Sequence, residues 1–351
     1  MPSDSRVLEV DRRGPLDGFT MVRESIPPRL PGTVLLAVER FSVAANNLGY
    51  VLFNDVLRTL DAFPASAPHR ARVPVWGFAE VIDADPSVAA PGTRVAGFLP
   101  MATHTTVRAT ATETGLLSVD EHRVGMLPIY RRLTPSDAGS RSVDAEVETV
   151  LLPVYPFAAL LAADVAAMGA RTVVVTSASS RSAGALSRLL TRAGLNVVGL
   201  TSGRHRSAAR AFGVYDRIFD YEEVDRIDIS VDTVYVDVAG SADVTGAVHQ
   251  HLGPHLTASV GVGGTHLRSL PSNPGPSLST FNTGSREEEL VRQHGWPTVQ
   301  SLYQAARRDL IEWSSHWLEV NTVNGLAGTG PVWEDIVAGE SNPLTASVIQ
   351  P

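Results

Sequence analysis

The chain has 351 residues, 44% of them hydrophobic, and a formal net charge of -8, which suits two packed domains and argues against a nucleic-acid or anionic-membrane partner. It has no cysteine and no lysine, so disulfides, thiolate nucleophiles, cysteine-ligated zinc, Schiff-base chemistry and a P-loop lysine are all excluded. No apolar run reaches the roughly 18 residues that span a bilayer, and "MPSDSRVLEVDRRG" has no apolar signal core, so the expectation is a soluble cytoplasmic protein acting on a small molecule.

Residues 31–43, "PGTVLLAVERFSV", alternate apolar and polar after a Pro-Gly turn and predict a half-buried strand. The following "AANNLGYVLFNDVL" reads as irregular chain leading into a helix. "VWGFAEVIDADPSVAAPGTRVAGF" predicts a strand, an acidic turn, a second Pro-Gly turn and another strand. Residues 108–145 are polar, with "TPSDAGSRS" expected as a loop. Short strands separated by such turns predict a small β-rich domain.

The pattern then changes. "FAALLAADVAAMGA" has helical spacing and "RTVVVTS" reads as a buried strand, followed by the helix "ALSRLLTRAG" closed by Gly194. "LNVVGLTS" and "RHRSAARAFG" repeat the strand–helix alternation. "YDRIFDY", "VDTVYVDVAG" and "LTASVGVGG" supply three more strands, with "GAVHQHLG" helical before the last. Strands alternating with helices predict a parallel, doubly wound sheet. Residues 268–285, rich in Pro, Ser, Asn and Gly, read as a loop; two helices, a strand, a short helix and a final strand close the chain.

This order resembles the medium-chain dehydrogenase/reductase superfamily, in particular its zinc-free, quinone-reductase-like branch and a bacterial group of unknown function within it. The likeness rests on "PGTVLLAVERFSVAANNLGY", "LLPVYPFAALLAADVAAMGARTVVVTSASS", "VVGLTSGRHRSAARAFGVYDRIFDY" and the closing "NPLTASVIQP". It implies a GroES-like β-rich domain over residues 1–145, completed by 317–351, and a doubly wound (Rossmann) dinucleotide-binding domain over 146–316. It also implies a homodimer formed through the nucleotide domains. The superfamily's catalytic zinc set is missing. Asn46 stands near the usual cysteine, and Trp76-Gly77-Phe78 stands in place of Gly-His-Glu.

The fingerprint glycines fall on Ala178, Ser180 and Ala183. Ser177, Ser179, Ser180 and Ser182 offer hydroxyls, and Arg181 charge, at a helix N-terminus that favours anions. A plain serine N-cap is the ordinary alternative. About 20 residues on, a dinucleotide fold places an acid for the ribose 2′-hydroxyl, or basic and hydroxyl groups for a 2′-phosphate. Here Ser202, Arg204 and Arg206 predict NADPH, although an exposed arginine pair is also a common solvated helix start. Tyr221 is expected beside the adenine phosphate, and Ala239 and Gly261 along the cofactor path. For the reaction, the resemblance aims Asn46, Asn47 and Tyr50 at the nicotinamide: Tyr50 as acid or oxyanion donor, the asparagines as orienters. His104 and Tyr130 are further catalytic candidates. Core and turn roles stay open for Tyr50 and Asn47, and a solvated loop position for His104. His249, His251 and His255 do not converge as metal ligands, because an i, i+2 pair splits across a helix.

The expected activity is a zinc-independent, NADPH-dependent reduction of a conjugated enone, quinone or ketone. The alternatives are a non-catalytic dinucleotide-binding sensor or scaffold, and a pathway-specific enzyme without net redox. Serine at position 180 favours the non-catalytic alternative, because its Cβ crowds the phosphate path.

Overall fold

The structure is a computed structural model describing residues 4–12, 18–52, 54–136, 143–228, 230–262 and 276–351, and every count below refers to these. In chain order the first elements are β1 (Asp4–Asp11), β2 (Thr20–Ser25), β3 (Thr33–Val43), α1 (Ala45–Leu52), α2 (Asn54–Leu57), β4 (Arg70–Ala71), β5 (Pro74–Ala84), β6 (Arg94–Pro100), β7 (His104–Thr112), β8 (Gly115–Ser118), β9 (Arg132–Pro135) and α3 (Val143–Leu151). Next come α4 (Val154–Ala167), β10 (Thr172–Val175), α5 (Arg181–Arg192), β11 (Asn196–Thr201), α6 (Arg206–Ala211), β12 (Arg217–Asp220), β13 (Thr233–Asp237), α7 (Ala242–Leu252), β14 (Leu256–Val262), β15 (Leu278–Phe281), α8 (Thr283–His294) and α9 (Trp296–Ser314). The chain ends with β16 (Glu319–Asn324), α10 (Thr329–Ala338) and β17 (Thr345–Gln350).

Two compact units result, Met1–Leu152 with Leu318–Pro351, and Pro153–Trp317. The expected break at 145/146 differs from this one by helix α3, which packs on β3 and β17 of the first unit.

In the first unit the sheet runs β16-β17-β3-β5-β6-β9-β8-β7, and β7 returns to pair with β3. The long strand β3 makes that closure possible. Its first half, Thr33–Ala37, pairs with β7, while Phe41–Val43 pairs with β17 from the far end of the chain. Apolar residues alternating along these strands face inward, and Leu36, Phe41, Leu99, Met101, Leu133 and Trp333 are fully buried. The polar stretch 108–145 was not legible as structure, yet it contains most of β7 and all of β8 and β9. Their solvent faces carry the threonines, and fewer than one residue in three is buried. The N-terminal hairpin, β1 with β2, was not anticipated either.

In the second unit six parallel strands run in the order β12-β11-β10-β13-β14-β15. That order, outward in both directions from the first strand, is the doubly wound arrangement. Val173, Val174 and Val175 are wholly buried at its centre, each stabilising the fold by roughly 1.5–3 kcal/mol. The sixth strand, β15, lies inside the expected loop 268–285, whose residues 268–275 fall outside the described residues. Helix α4 is mostly apolar and largely buried, with Asp164 as its one charged residue, and no single described helix is long and apolar enough to cross a membrane.

Candidate functional site

The turn joining β10 to α5 is held from several sides. Ser177 is left-handed (φ 51°), one residue before the position read as the first fingerprint glycine. Its amide donates to the Tyr221 hydroxyl at 3.1 Å, and the Ala178 amide to the Leu200 carbonyl at 3.0 Å. The Ala178 carbonyl accepts from Tyr215 at 2.7 Å. Alanine fits at position 178 because the neighbouring strand has Gly199, where a Cβ would lie 2.8 Å from that of Ala178. A Cβ on Gly184 would lie 2.7 Å from the Phe212 ring, so α5 packs closely on the chain after α6 at that glycine.

The serines divide by role. Ser180 is the N-cap of α5, its hydroxyl oxygen accepting from the Ala183 amide at 3.2 Å. Ser179 is buried and accepts from Thr201 at 3.2 Å, stitching the turn to β11. The burial of Ser179 and the cap made by Ser180 give these two hydroxyls structural roles beside the phosphate-facing one expected of all four. Ser182 is partly exposed in the first helical turn, where the leading amides have no intrahelical acceptor. Arg181 is partly buried, and burial pulls its pKa down to about 10.

Beneath the turn lies a buried polar network that sequence reasoning missed. Thr176 donates to Asp237 at 2.8 Å and accepts from the amides of Val238 and Ala239. The Asp237 carboxylate, fully buried, also accepts from Thr245 and from the Gly240 amide. Ala239 therefore fastens the β13 loop to the turn, and Gly261 sits buried in β14 opposite Asp237. A charged residue ending the apolar run "TVYVD" was the available signal.

At the tip of β11, Ser202 contacts His205 Nδ1 at 3.2 Å and Arg204 is exposed. Arg206 does not present itself beside Arg204. Its guanidinium is ion-paired with Glu223, which also accepts from Arg226 and from the Asp220 amide at 2.9 Å. The Asp220 amide first, then Arg206 and Arg226, hold the Glu223 pKa down to about 2. "TSGRHR" contains no acid, but the parallel neighbour β12 brings one alongside. The signal was the capping-box spacing from Asp220 to Glu223.

In the first unit, "AANNLGY" is helical, not irregular. The Asn47 side-chain oxygen accepts from the Ala44 amide at 2.8 Å, and its nitrogen donates to the Pro74 carbonyl at 2.8 Å. Asn47 is thereby a buried clamp between α1 and β5, which corrects its assignment as a nicotinamide orienter. Asn46 and Tyr50 share the other face at i, i+4. The Tyr50 hydroxyl accepts from Trp76 Nε1 at 3.0 Å and from Asn46 at 3.5 Å. Tyr50, Trp76 and Tyr130, all partly exposed, ring a floor made by Phe98, with Tyr50 edge-on to Phe98 at 5.4 Å and Tyr130 at 5.1 Å from it. Burial pushes both tyrosine hydroxyls above the ordinary phenol value, while Trp76 and Asn46 pull Tyr50 back in part. Both hydroxyls are thus neutral near pH 7.

The family described as a protein of unknown function, DUF2855, matches residues 41–342. The chain belongs to that family. No curated protein matches it. Among solved structures, a quinone oxidoreductase from Coxiella burnetii is similar at 16% identity and a TM-score of 0.58, covering 99% of both chains. An oxidoreductase from Salmonella enterica in complex with NADP is 12% identical with a TM-score of 0.61, covering 99% of both. A mycobacterial protein complexed with NADPH is 17% identical with a TM-score of 0.61, covering 99% of this chain and 100% of the other. At these identities the likeness concerns the fold. This DUF2855 chain has the medium-chain dehydrogenase/reductase fold, with a GroES-like and a Rossmann unit.

Two further candidates of the DUF2855 chain lie elsewhere. His104 bonds Thr103 at 3.1 Å rather than either tyrosine, and lines a cavity of about 180 Å3 with Phe63, Arg72 and Arg123. Burial holds its pKa below the ordinary histidine value. Arg123 donates to the Tyr130 carbonyl at 2.5 Å and stacks over Phe63 at 5.0 Å. The three histidines of "HQHLGPH" have separate partners. His249 bonds Ser259 and His251 the Ile227 carbonyl, while His255 approaches Asp232.

Proposed function

We propose that this protein is a zinc-independent, NADPH-dependent reductase of a planar conjugated carbonyl compound, an enone or a quinone. The observation that carries the reading is the Tyr50 hydroxyl. Its oxygen accepts from Trp76 and Asn46, which leaves its proton as the group to donate. Tyr50 then polarises or protonates an acceptor oxygen, a role worth roughly 10²–10⁴ in rate. The rim of Tyr50, Trp76 and Tyr130 over Phe98 offers flat apolar faces on which a conjugated ring stacks. A nicotinamide dinucleotide supplies the hydride when bound.

The turn fits such a cofactor. Small residues line it, Gly199 admits Ala178, and the turn opens onto the N-terminal end of α5, which favours an anion. Ser182 and the first turn of α5 would hold the pyrophosphate, Tyr221 would flank it, and Ser202 with Arg204 would meet the 2′-phosphate. Ala239 would border the path at the end of β13. Zinc-independence rests on the donor set, with Asn46 and Trp76-Gly77-Phe78 where the superfamily keeps its ligands. A non-catalytic dinucleotide-binding protein is the second reading. It is favoured by the Ser177 and Ala178 amides, which are already bonded within the protein.

Calorimetric titration with NADPH and NADH tests the cofactor assignment. One NADPH per chain is expected, bound tighter than NADH. Binding of neither refutes the reading.

A further inference from the structure

We infer that Glu223 limits the preference for NADPH over NADH by holding Arg206 in an ion pair, so that Arg204 meets the 2′-phosphate alone. The inference rests on the dinucleotide reading proposed above. In a doubly wound fold the ribose lies at the tip of the second strand, here β11. Arg204 and Arg206 both follow that tip, and sequence order alone would give the phosphate two guanidinium groups. The structure separates them. Arg204 is exposed, and among the described residues it makes no ion pair. Arg206 is turned towards the chain after β12, where its guanidinium donates to Glu223. Its Nε is buried without a hydrogen-bond partner among the described residues.

Glu223 is itself fixed. Its side chain accepts from the Asp220 amide at 2.9 Å, and the Asp220 carboxylate accepts in return from the Glu223 amide. Arg226 donates to the other carboxylate oxygen. The guanidinium groups of Arg206 and Arg226 face the carboxylates of Glu223 and Asp220, so the charges at this corner balance. A neutral residue at position 223 leaves one net positive charge there and frees Arg206 for an anion.

The two jobs of Glu223 are separable. Glu223→Gln keeps a carbonyl oxygen for the Asp220 amide while removing the charge that binds Arg206. Arg206→Ala tests the same claim without touching the cap. The experiment is titration of NADPH and NADH, by calorimetry or by nucleotide fluorescence, on the wild type, Arg204→Ala, Arg206→Ala, Glu223→Gln and the double variant Glu223→Gln/Arg206→Ala.

The affinity ratio of NADPH to NADH should fall about tenfold in Arg204→Ala and change less than about twofold in Arg206→Ala. In Glu223→Gln the ratio should rise about five- to tenfold, and Arg206→Ala on that background should cancel the rise. NADH affinity, the internal check on folding, should hold throughout. A ratio in Glu223→Gln at or below that of the wild type overturns the inference, as does a collapse of the ratio in Arg206→Ala alone. Binding of neither dinucleotide to the wild type overturns the dinucleotide reading, and this inference with it.

Discussion

Replacing Asp237 by alanine strikes the point where the second unit's stability and its candidate binding turn meet. The carboxylate is fully buried and accepts from Thr176 at 2.8 Å, Thr245 at 2.9 Å and the Gly240 amide at 3.0 Å. Alanine strands these three donors. Gly240 is partly exposed and can turn to water, but the Thr245 hydroxyl is buried and keeps only Tyr235 as a neighbour, at 3.2 Å. Leaving a buried polar set without its charged acceptor costs about 3–5 kcal/mol. That is a large part of the roughly 5–15 kcal/mol by which domains are stable. Asp237→Asn keeps the volume and one acceptor oxygen for Thr176, and the Thr245 hydroxyl can rotate to accept from its amide, so it should cost only about 1–2 kcal/mol. Urea unfolding followed by tryptophan fluorescence measures both, because Trp313 lies in the same unit and is packed against Trp317 at 4.8 Å. The alanine variant should also lose dinucleotide affinity, since Thr176 holds the Val238 and Ala239 amides in place. An alanine variant within about 0.5 kcal/mol of wild type would refute the argument, as would an asparagine variant less stable than alanine.

Ser180→Ala should cost about 1 kcal/mol through the lost N-cap and Ser180→Gly only a few tenths, with no gain in NADPH affinity for either; a several-fold gain from glycine would mean the serine obstructs the phosphate. Tyr50→Phe should leave dinucleotide affinity intact and slow reduction at least about 10²-fold, and near-wild-type turnover would remove Tyr50 from the chemistry. Glu9 is buried. Burial alone would raise its pKa, but the Ser66 hydroxyl and amide and Arg72 outweigh this and hold it below the ordinary glutamate value. Its contribution to stability is therefore present above the unfolded-state pKa and lost as the pH falls through the lower folded value. Acid unfolding of Glu9→Gln should show a smaller loss over that window, and an unchanged acid limb would contradict the ion-pair account.

The doubly wound sheet was legible because its strands are buried on both faces and read as continuous apolar runs, "TVVV" and "TVYV" among them. The β-rich unit was legible only in part. β5 and β6 are flanked by Pro-Gly and acidic turns, whereas β8 and β9 are four residues long and half exposed. Helix α1 was hidden because its stability comes from Asn47 bonding to Ala44 and Pro74, the second of which lies on another strand. The same limit applied to the site. Tyr50 and Asn46 came from the family resemblance and not from helical spacing, and Trp76 reaches Tyr50 only through the placing of β5 against α1. Arg206 was read as a phosphate ligand because its partner Glu223 comes from the adjacent parallel strand's loop, 17 residues away.

The central claim is hydride transfer from a bound dinucleotide to a conjugated acceptor with Tyr50 as proton donor. The most direct measurement supplies NADPH deuterated at one face of the nicotinamide C4, together with enone and quinone acceptors, and follows the deuterium. The account predicts oxidation of NADPH with either acceptor, deuterium from one face only at the β-carbon of the reduced enone, and loss of that transfer in Tyr50→Phe while NADPH still binds. NADPH that binds and stays reduced with every acceptor would contradict it and leave a binding protein in its place.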